Sequence, residues 1–219
     1  MSTFAKKEFI ENGFEVEELI PDVLLVKDFI TEKELSDILE IIKNTPEEDW
    51  LIEYTTNLQR FCIEKFGRGD VENLVKEGKF EITQGWEDKN LSLKDYKITE
   101  LINTRLEDIL YKAKPDSELA SMKTLQRMQK GVQLKPHTDQ STDPAIYYAQ
   151  ILYLNDDYEG GELFFVNKDF KVKPKPRSLL VFPGTEEFEH GVHFVKEGPI
   201  RYVMVSFLRA KGFYEKNKY

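Results

Sequence analysis

The chain has 219 residues, of which 40% are hydrophobic, so it can form one large domain or two small ones with a sizeable core. Acidic residues outnumber basic ones by 40 to 31, and the net charge of −9 argues against a general nucleic-acid-binding protein, which usually presents a basic face. The lone cysteine, Cys62, excludes an internal disulfide and a zinc cluster built of cysteines. The sequence shows neither a signal peptide nor a membrane-spanning run, so we expect a cytoplasmic protein without nucleic-acid or membrane partners.

The first half of the chain is predicted to be mainly helical. Residues 23–29 are typical of a buried strand, and Thr31 then begins a helix because Glu34, three residues later, completes a capping box. Residues 97–112 are predicted to form a second amphipathic helix, since their apolar side chains recur at a helical period. Pro115 separates this helix from the second half of the chain.

The middle of the chain, residues 50–93, shows no feature tied to a particular chemistry. Apolar residues recur at helical spacing over 51–62, and Gly67 is a plausible stop, so a helix is predicted there. Residues 79–86 could form a strand. A segment of this length could also cover a binding site as a lid.

After Pro115 the sequence changes to short segments rich in β-branched and aromatic residues, separated by glycine, proline and asparagine turns. Strands are predicted at 122–129, 147–154, 162–166, 178–182 and 200–209. Many short strands with such turns indicate a β-sandwich or barrel. Because no flexible linker divides the two halves, we predict a single α+β domain over 1–219. It would have helical support over about 1–115 and a jelly-roll core, a double-stranded β-helix, over about 116–212.

The three histidines of the chain all lie between positions 137 and 193. His137 and Asp139 are two residues apart, so on an extended strand both side chains would point to the same side. His190 lies in a predicted turn-like segment just before the last strand, which would place it at a neighbouring strand end. Two imidazoles and one carboxylate can hold one face of an iron(II) octahedron and leave the other face open. A His-x-Asp pair is also common by chance, and Asp139 could simply cap the loop after it.

The surrounding sequence adds the context that the three side chains lack. In chain order the relevant pieces are Lys135-Pro136-His137-Thr138-Asp139, ILYLND at 151–156, YEGGEL at 158–163, LVFP at 180–183, His190-Gly191-Val192, Val195, Gly198 and Arg201-Tyr202. Through these pieces the run 125–209 resembles the catalytic half of the 2-oxoglutarate- and iron-dependent dioxygenases, in particular their prolyl 4-hydroxylase-like branch.

The resemblance implies a role for five side chains. His137, Asp139 and His190 would bind Fe(II), and Arg201 would pair with the distal carboxylate of 2-oxoglutarate, a task that suits its planar fork. Tyr153 would donate a hydrogen bond to the same carboxylate, although a plain core aromatic is the alternative.

His193 competes with His190 as the third metal ligand. His190 is preferred because Gly191, Val192 and Val195 follow it as the motif requires.

The activity that the resemblance implies is hydroxylation of a C–H bond, with molecular oxygen and 2-oxoglutarate consumed and succinate and carbon dioxide formed. Ascorbate is an optional further cofactor. The first expected substrate is a prolyl residue of a peptide or protein. A free amino acid or another small molecule is the alternative, and a non-catalytic jelly-roll binding module is the second.

The sequence departs from the family pattern at two places. Met128 stands where many prolyl hydroxylases of this branch have a tyrosine, and a thioether donates no hydrogen bond. Residues 145–148 contain no arginine, whereas many peptide-modifying relatives carry one at the start of this strand. Both departures concern the co-substrate or substrate contacts and leave the proposed metal ligands in place.

Overall fold

A computed structural model describes residues 4–54, 62–63, 65–68, 70–79, 87–92 and 96–217. The helices are α1 (Lys6–Glu11), α2 (Glu32–Asn44), α3 (Val71–Lys76), α4 (Lys97–Ala113), α5 (Asp139–Thr142) and α6 (Phe213–Asn217). The strands are β1 (Val16–Ile20), β2 (Val23–Val26), β3 (Leu51–Tyr54), β4 (Glu87–Ser92), β5 (Ser117–Met128), β6 (Leu134–His137), β7 (Ile146–Tyr153), β8 (Glu159–Gly160), β9 (Leu163–Phe165), β10 (Phe170–Val172), β11 (Leu179–Pro183), β12 (His190–Val192), β13 (Val195–Glu197) and β14 (Arg201–Ala210). Residues Glu47–Asp49 and Glu186–Phe188 form short 3₁₀ turns.

Two antiparallel sheets face each other and enclose an apolar core. The major sheet has eight strands in the order β1-β2-β11-β7-β14-β5-β4-β3, and the minor sheet has four in the order β10-β9-β12-β6. Alternate residues of β7 and β11, such as Ile151 and Phe182, meet Leu163 and Phe165 of the minor sheet between the two layers. The predicted α+β class with a two-sheet core is therefore confirmed.

The helices cover the outer face of the major sheet. Phe9 of α1, Ile38 of α2 and Leu106 of α4 are fully buried against the other set of alternating strand residues, including Leu152 and Met204. Since both faces of the central strands are covered, these strands are apolar on both sides, as their sequences indicate.

The two main helices begin and end close to the predicted positions. Thr31 accepts a hydrogen bond from the Glu34 backbone N–H, and the Glu34 carboxylate accepts one from the Thr31 N–H, so the predicted capping box is confirmed. Arg105 of α4 donates to both oxygens of Glu34 and also to the carbonyl of Phe29. This bond set joins α2 to α4 beside the major sheet.

The prediction of a helix from Leu51 is wrong for residues 51–54. These residues form strand β3, which pairs with β4 at the edge of the major sheet. The hydrogen bonds of this pairing outweigh the helical spacing of the apolar residues, as tertiary context often does for short segments. Residues 55–61 of the predicted helix and 80–86 of the predicted strand lie outside the described residues.

The first 115 residues supply more than helical support. Strands β1 and β2 extend one edge of the major sheet, and β3 and β4 extend the other edge. Within the described ranges, no helix has both the length and the apolar character needed to cross a bilayer.

Candidate active site

The minor sheet brings His137 and His190 side by side. His137 is the last residue of β6 and His190 the first of β12, and the two residues are directly paired in the antiparallel register. Their ring centroids are 4.5 Å apart. The sequence predicts a turn-like segment around His190, but this residue begins a strand and is 4% exposed. The strand pairing therefore sets the distance between the two imidazoles.

Asp139 lies at the N-terminus of a short helix, close to the two histidines. Strand β6 ends at His137, so Asp139 does not share a strand with it as the spacing suggested. Thr138 caps the short helix α5, and Asp139 is its first residue. One ligand atom from each of His137, Asp139 and His190 lies within 4.8 Å of the others, close enough to surround one metal ion.

A glycine makes room for the carboxylate. A Cβ added at Gly184 would lie 3.1 Å from Asp139 Cβ and 2.8 Å from Ile146 Cγ2. Only a residue without a side chain fits there, because these distances are shorter than normal contacts. The turn after β11 thus helps to place Asp139 beside the two histidines.

Hydrogen bonds to backbone carbonyls fix the tautomer of both histidines. His137 Nδ1 lies 2.9 Å from the carbonyl oxygen of Lys135, and His190 Nδ1 lies 3.0 Å from that of Phe188. A carbonyl oxygen only accepts, so both Nδ1 atoms carry the proton. Each Nε2 therefore keeps a free lone pair, which is the form of histidine that binds a metal.

Burial disfavours the charged forms of His137, Asp139 and His190. It lowers the pKa of His137, and together with the neighbouring His137 it lowers the pKa of His190 to about 3. It raises the pKa of Asp139 to about 7, and Asp139 Oδ2 is buried without a hydrogen-bond partner in the part of the chain that the structure describes. An unpaired carboxylate beside two neutral imidazoles is costly in an apolar interior unless a cation joins it. The donor set therefore fits a divalent metal ion.

His193 faces away from the three clustered side chains. It is exposed, and its ring stacks on that of Phe164 with centroids 4.3 Å apart. It does not belong to the clustered ligand atoms. The geometry thus favours His190 over His193 as the third donor.

Arg201 forms a second polar centre within the core. It is the first residue of β14 and only 1% exposed. Its Nη1 contacts the sulfur of Met128 at 3.4 Å, and its Nε has no hydrogen-bond partner. Among the described residues, no carboxylate forms an ion pair with it. A buried guanidinium without an anion is a ready site for one.

Two tyrosine hydroxyls accompany this guanidinium. Tyr153 is fully buried, and the centroid of its ring lies 5.3 Å from Arg201 Cζ. Neither the Tyr153 hydroxyl nor the Tyr158 hydroxyl has a hydrogen-bond partner within the described structure. Burial raises the pKa of Tyr153, and it raises the pKa of Tyr158 to about 12 against the opposing charge of Arg201. Both hydroxyls therefore stay protonated and can donate, so the group fits a carboxylate.

Sequence reasoning missed Tyr158 and left Arg209 open. Tyr158 belongs to the YEGGEL motif, but nothing in the sequence shows where its hydroxyl points. For Arg209 the sequence favours an exposed strand end over a contact to co-substrate or substrate. In the structure its Nε lies 2.9 Å from Asp143 Oδ2.

This chain is similar to a protein-family model, to known protein sequences and to solved structures. Residues 123–209 match the family model described as the 2OG-Fe(II) oxygenase superfamily. Human prolyl 3-hydroxylase 2 is 41% identical over 56 residues, which are 23% of this chain and 8% of that protein. Human prolyl 3-hydroxylase 3 is 39% identical over a match of the same length. The match thus spans less than a tenth of the length of these relatives.

Solved structures share the fold at low sequence identity. The viral collagen prolyl hydroxylase of Paramecium bursaria Chlorella virus-1 superposes with a TM-score of 0.57 at 15% identity, covering 86% of this chain and 95% of that one. An oxidoreductase of the 2OG-Fe(II) oxygenase family from Burkholderia pseudomallei gives 0.57 at 12% identity, covering 94% and 89%. Residues 123–209 thus resemble the 2OG-Fe(II) oxygenase superfamily, a designation that implies Fe(II) and 2-oxoglutarate as its cofactor and co-substrate.

Proposed function

We propose that this protein is an Fe(II)- and 2-oxoglutarate-dependent dioxygenase that hydroxylates a prolyl residue of a peptide or protein. The proposal rests on two buried polar groups in the apolar core, each of which lacks an ion of opposite charge among the described residues. One is the buried group His137, Asp139 and His190, whose donor atoms lie within 4.8 Å of one another. The other is Arg201, buried without an anion.

The three clustered side chains would hold Fe(II) through the two Nε2 atoms and the Asp139 carboxylate. When bound, the metal and 2-oxoglutarate couple oxidative decarboxylation of the co-substrate, by molecular oxygen, to hydroxylation of the substrate C–H bond. The hydrogen bonds from each histidine Nδ1–H to a backbone carbonyl hold the rings in place and leave the lone pair on each Nε2 free for a metal ion. These residues thus prepare the site before any ligand arrives.

Arg201 would bind the distal carboxylate of 2-oxoglutarate and set the orientation of the co-substrate. Its guanidinium can form two parallel hydrogen bonds to a carboxylate, and Tyr153 can add a third. The aromatic wall around His190 keeps water out, since Phe182 and Phe165 pack on the imidazole with ring centroids 4.7 and 6.2 Å away. Exclusion of water strengthens each of these polar contacts.

The substrate class is supported by the names of the similar proteins, which are prolyl hydroxylases in several cases. A free amino acid or another small molecule is the second candidate, because the start of β7 offers no basic side chain to a peptide. Ile146 is buried there, and the ring of Tyr148 stacks on Phe4 with centroids 3.9 Å apart.

Release of succinate by the purified protein tests the proposal. The protein is incubated with Fe(II), 2-oxoglutarate and a panel of proline-containing peptides and free amino acids, and the products are read by mass. Asp139→Ala should abolish both succinate release and the mass increase of one oxygen atom. Asp116→Ala, at an exposed carboxylate, is the matched control and should leave both unchanged. Unaltered turnover in Asp139→Ala would refute the assignment, and wild-type protein without turnover or 2-oxoglutarate binding would favour the non-catalytic binding module.

A further inference from the structure

The Tyr158 hydroxyl is an unexplained polar group in the core. Tyr158 lies in the turn before β8 and is 2% exposed, yet its hydroxyl has no hydrogen-bond partner within the described structure. Burying a hydroxyl without a partner costs about 1–3 kcal/mol, and phenylalanine would fill the same space without that cost. A buried hydroxyl that lacks a partner in spite of this cost indicates a ligand that accepts its hydrogen bond.

The ring of Tyr158 lies against Arg201. A Cβ added at Gly161 would be 2.8 Å from Tyr158 Cε2 and 3.2 Å from Arg201 Cδ, so both side chains meet over this glycine. Cε2 is bonded to the carbon that bears the hydroxyl, so the polar end of the ring lies on the side of the arginine. Gly161 has a φ of +66°, and the missing side chain lets the two groups approach.

Met128 lies close to the same two residues. Its sulfur contacts Arg201 Nη1 at 3.4 Å, and its side chain belongs to the small apolar cluster that contains the Tyr158 ring. A thioether is only a weak acceptor and donates nothing, so Met128 cannot bind a carboxylate. The guanidinium therefore has Tyr153 and Tyr158 as the hydroxyl donors beside it.

A lysine holds the Tyr158 ring in place. Lys173 Nζ lies 4.4 Å from the ring centroid and donates a hydrogen bond to the Tyr158 carbonyl. Both the backbone and the ring of Tyr158 are thus fixed by one side chain. Such fixing keeps the entropy cost of a further hydrogen bond from the hydroxyl low.

We propose that the Tyr158 hydroxyl donates a hydrogen bond to the distal carboxylate of the dicarboxylate co-substrate, beside Arg201 and Tyr153. A carboxylate offers about four lone-pair sites, of which a bidentate arginine fills two. The two tyrosine hydroxyls fill the others. This inference rests on the proposed function, and it assigns to Tyr158 the contact that methionine at position 128 cannot make.

The test is the affinity of Tyr158→Phe for 2-oxoglutarate. The protein is loaded with Mn(II), which avoids turnover, and binding is measured by titration calorimetry. A hydrogen bond to a charged group contributes enough that we expect the dissociation constant to rise about 10- to 100-fold. Tyr148→Phe is the matched control, because it removes a tyrosine hydroxyl from the helix-covered side of the sheet and should leave the affinity unchanged.

A second ligand separates a distal-carboxylate contact from a general loss of packing. The ligand 2-oxopentanoate has the same chain length but lacks the distal carboxylate, so Tyr158→Phe should not weaken its binding. Equal loss for both ligands, or no loss for 2-oxoglutarate, would overturn the role of Tyr158 while leaving the proposed function intact. Wild-type, Mn(II)-loaded protein that fails to bind 2-oxoglutarate would overturn the proposed function itself.

Discussion

Replacement of Arg201 by methionine should stabilise the protein without 2-oxoglutarate and remove the further stabilisation that 2-oxoglutarate gives to the wild type. Methionine has a similar length and fills the site without a charge. In the wild-type protein Arg201 is 1% exposed, its Nε has no hydrogen-bond partner among the described residues, and its Nη1 contacts the sulfur of Met128. Without a bound anion, this buried charge destabilises the folded state.

The magnitude can be worked from the cost of a buried ion. Desolvation of an ion costs several kcal/mol, and the Tyr153 ring beside the guanidinium offsets part of that cost. We therefore expect Arg201→Met to raise the free energy of unfolding by about 1–3 kcal/mol in the absence of ligand. At a 2-oxoglutarate concentration of about 100 times its dissociation constant, the wild type gains about 2.7 kcal/mol, whereas the variant gains nothing.

Urea unfolding of the Mn(II)-loaded protein, with and without 2-oxoglutarate, measures both effects. Arg105→Met is the matched contrast, since Arg105 donates to both oxygens of Glu34 and to a carbonyl. That variant should lose about 2–3 kcal/mol and keep its response to 2-oxoglutarate. If Arg201→Met is less stable than the wild type without ligand, the guanidinium holds the fold together and the reasoning is wrong.

Three further predictions concern single side chains. Burial acts to raise the pKa of Glu34, but the hydrogen bonds from Arg105 and from the Thr31 N–H outweigh burial. The pKa of Glu34 therefore lies below its ordinary 4.5. Its stabilising contribution is therefore complete above pH 4.5 and is lost as the pH falls through the lower folded value. Glu34→Gln should unfold more easily than the wild type in urea at pH 7, and this difference should shrink as the pH falls below 4.5. Gly184→Ala should displace Asp139 and weaken Mn(II) binding in calorimetry, while unchanged affinity would contradict the close packing. His190→Ala should abolish Mn(II) binding and His193→Ala should retain it, and the reverse result would exchange their roles.

Local signals in the sequence predict the parts of the fold that depend on one segment. The helix after Thr31 is predicted by its capping box, and the helix over 97–113 is predicted by its apolar stripe. Strand β3 is different, because its conformation depends on pairing with β4, which begins more than thirty residues later. No periodicity within residues 51–54 reports such a partner.

The candidate site also contains some residues that local sequence signals predict and others that they do not. His137 and His190 could be found because their motifs are ordered along the chain, and the register of β6 and β12 brings them together. The start of a helix at Asp139 was missed, although Thr138 is a good N-cap residue. Tyr158 was missed because the burial and bonding of a hydroxyl depend on residues from several distant strands.

The position of β6 at the edge of the minor sheet has a consequence for local unfolding. This strand has four residues and, among the described strands, pairs only with β12. A metal held by His137, Asp139 and His190 would join the end of β6 and the helix after it to β12, closing a long loop. The backbone amides of β6 should therefore exchange with deuterium slowly only in the metal-loaded protein, so that cation loading acts as the last step in ordering this edge.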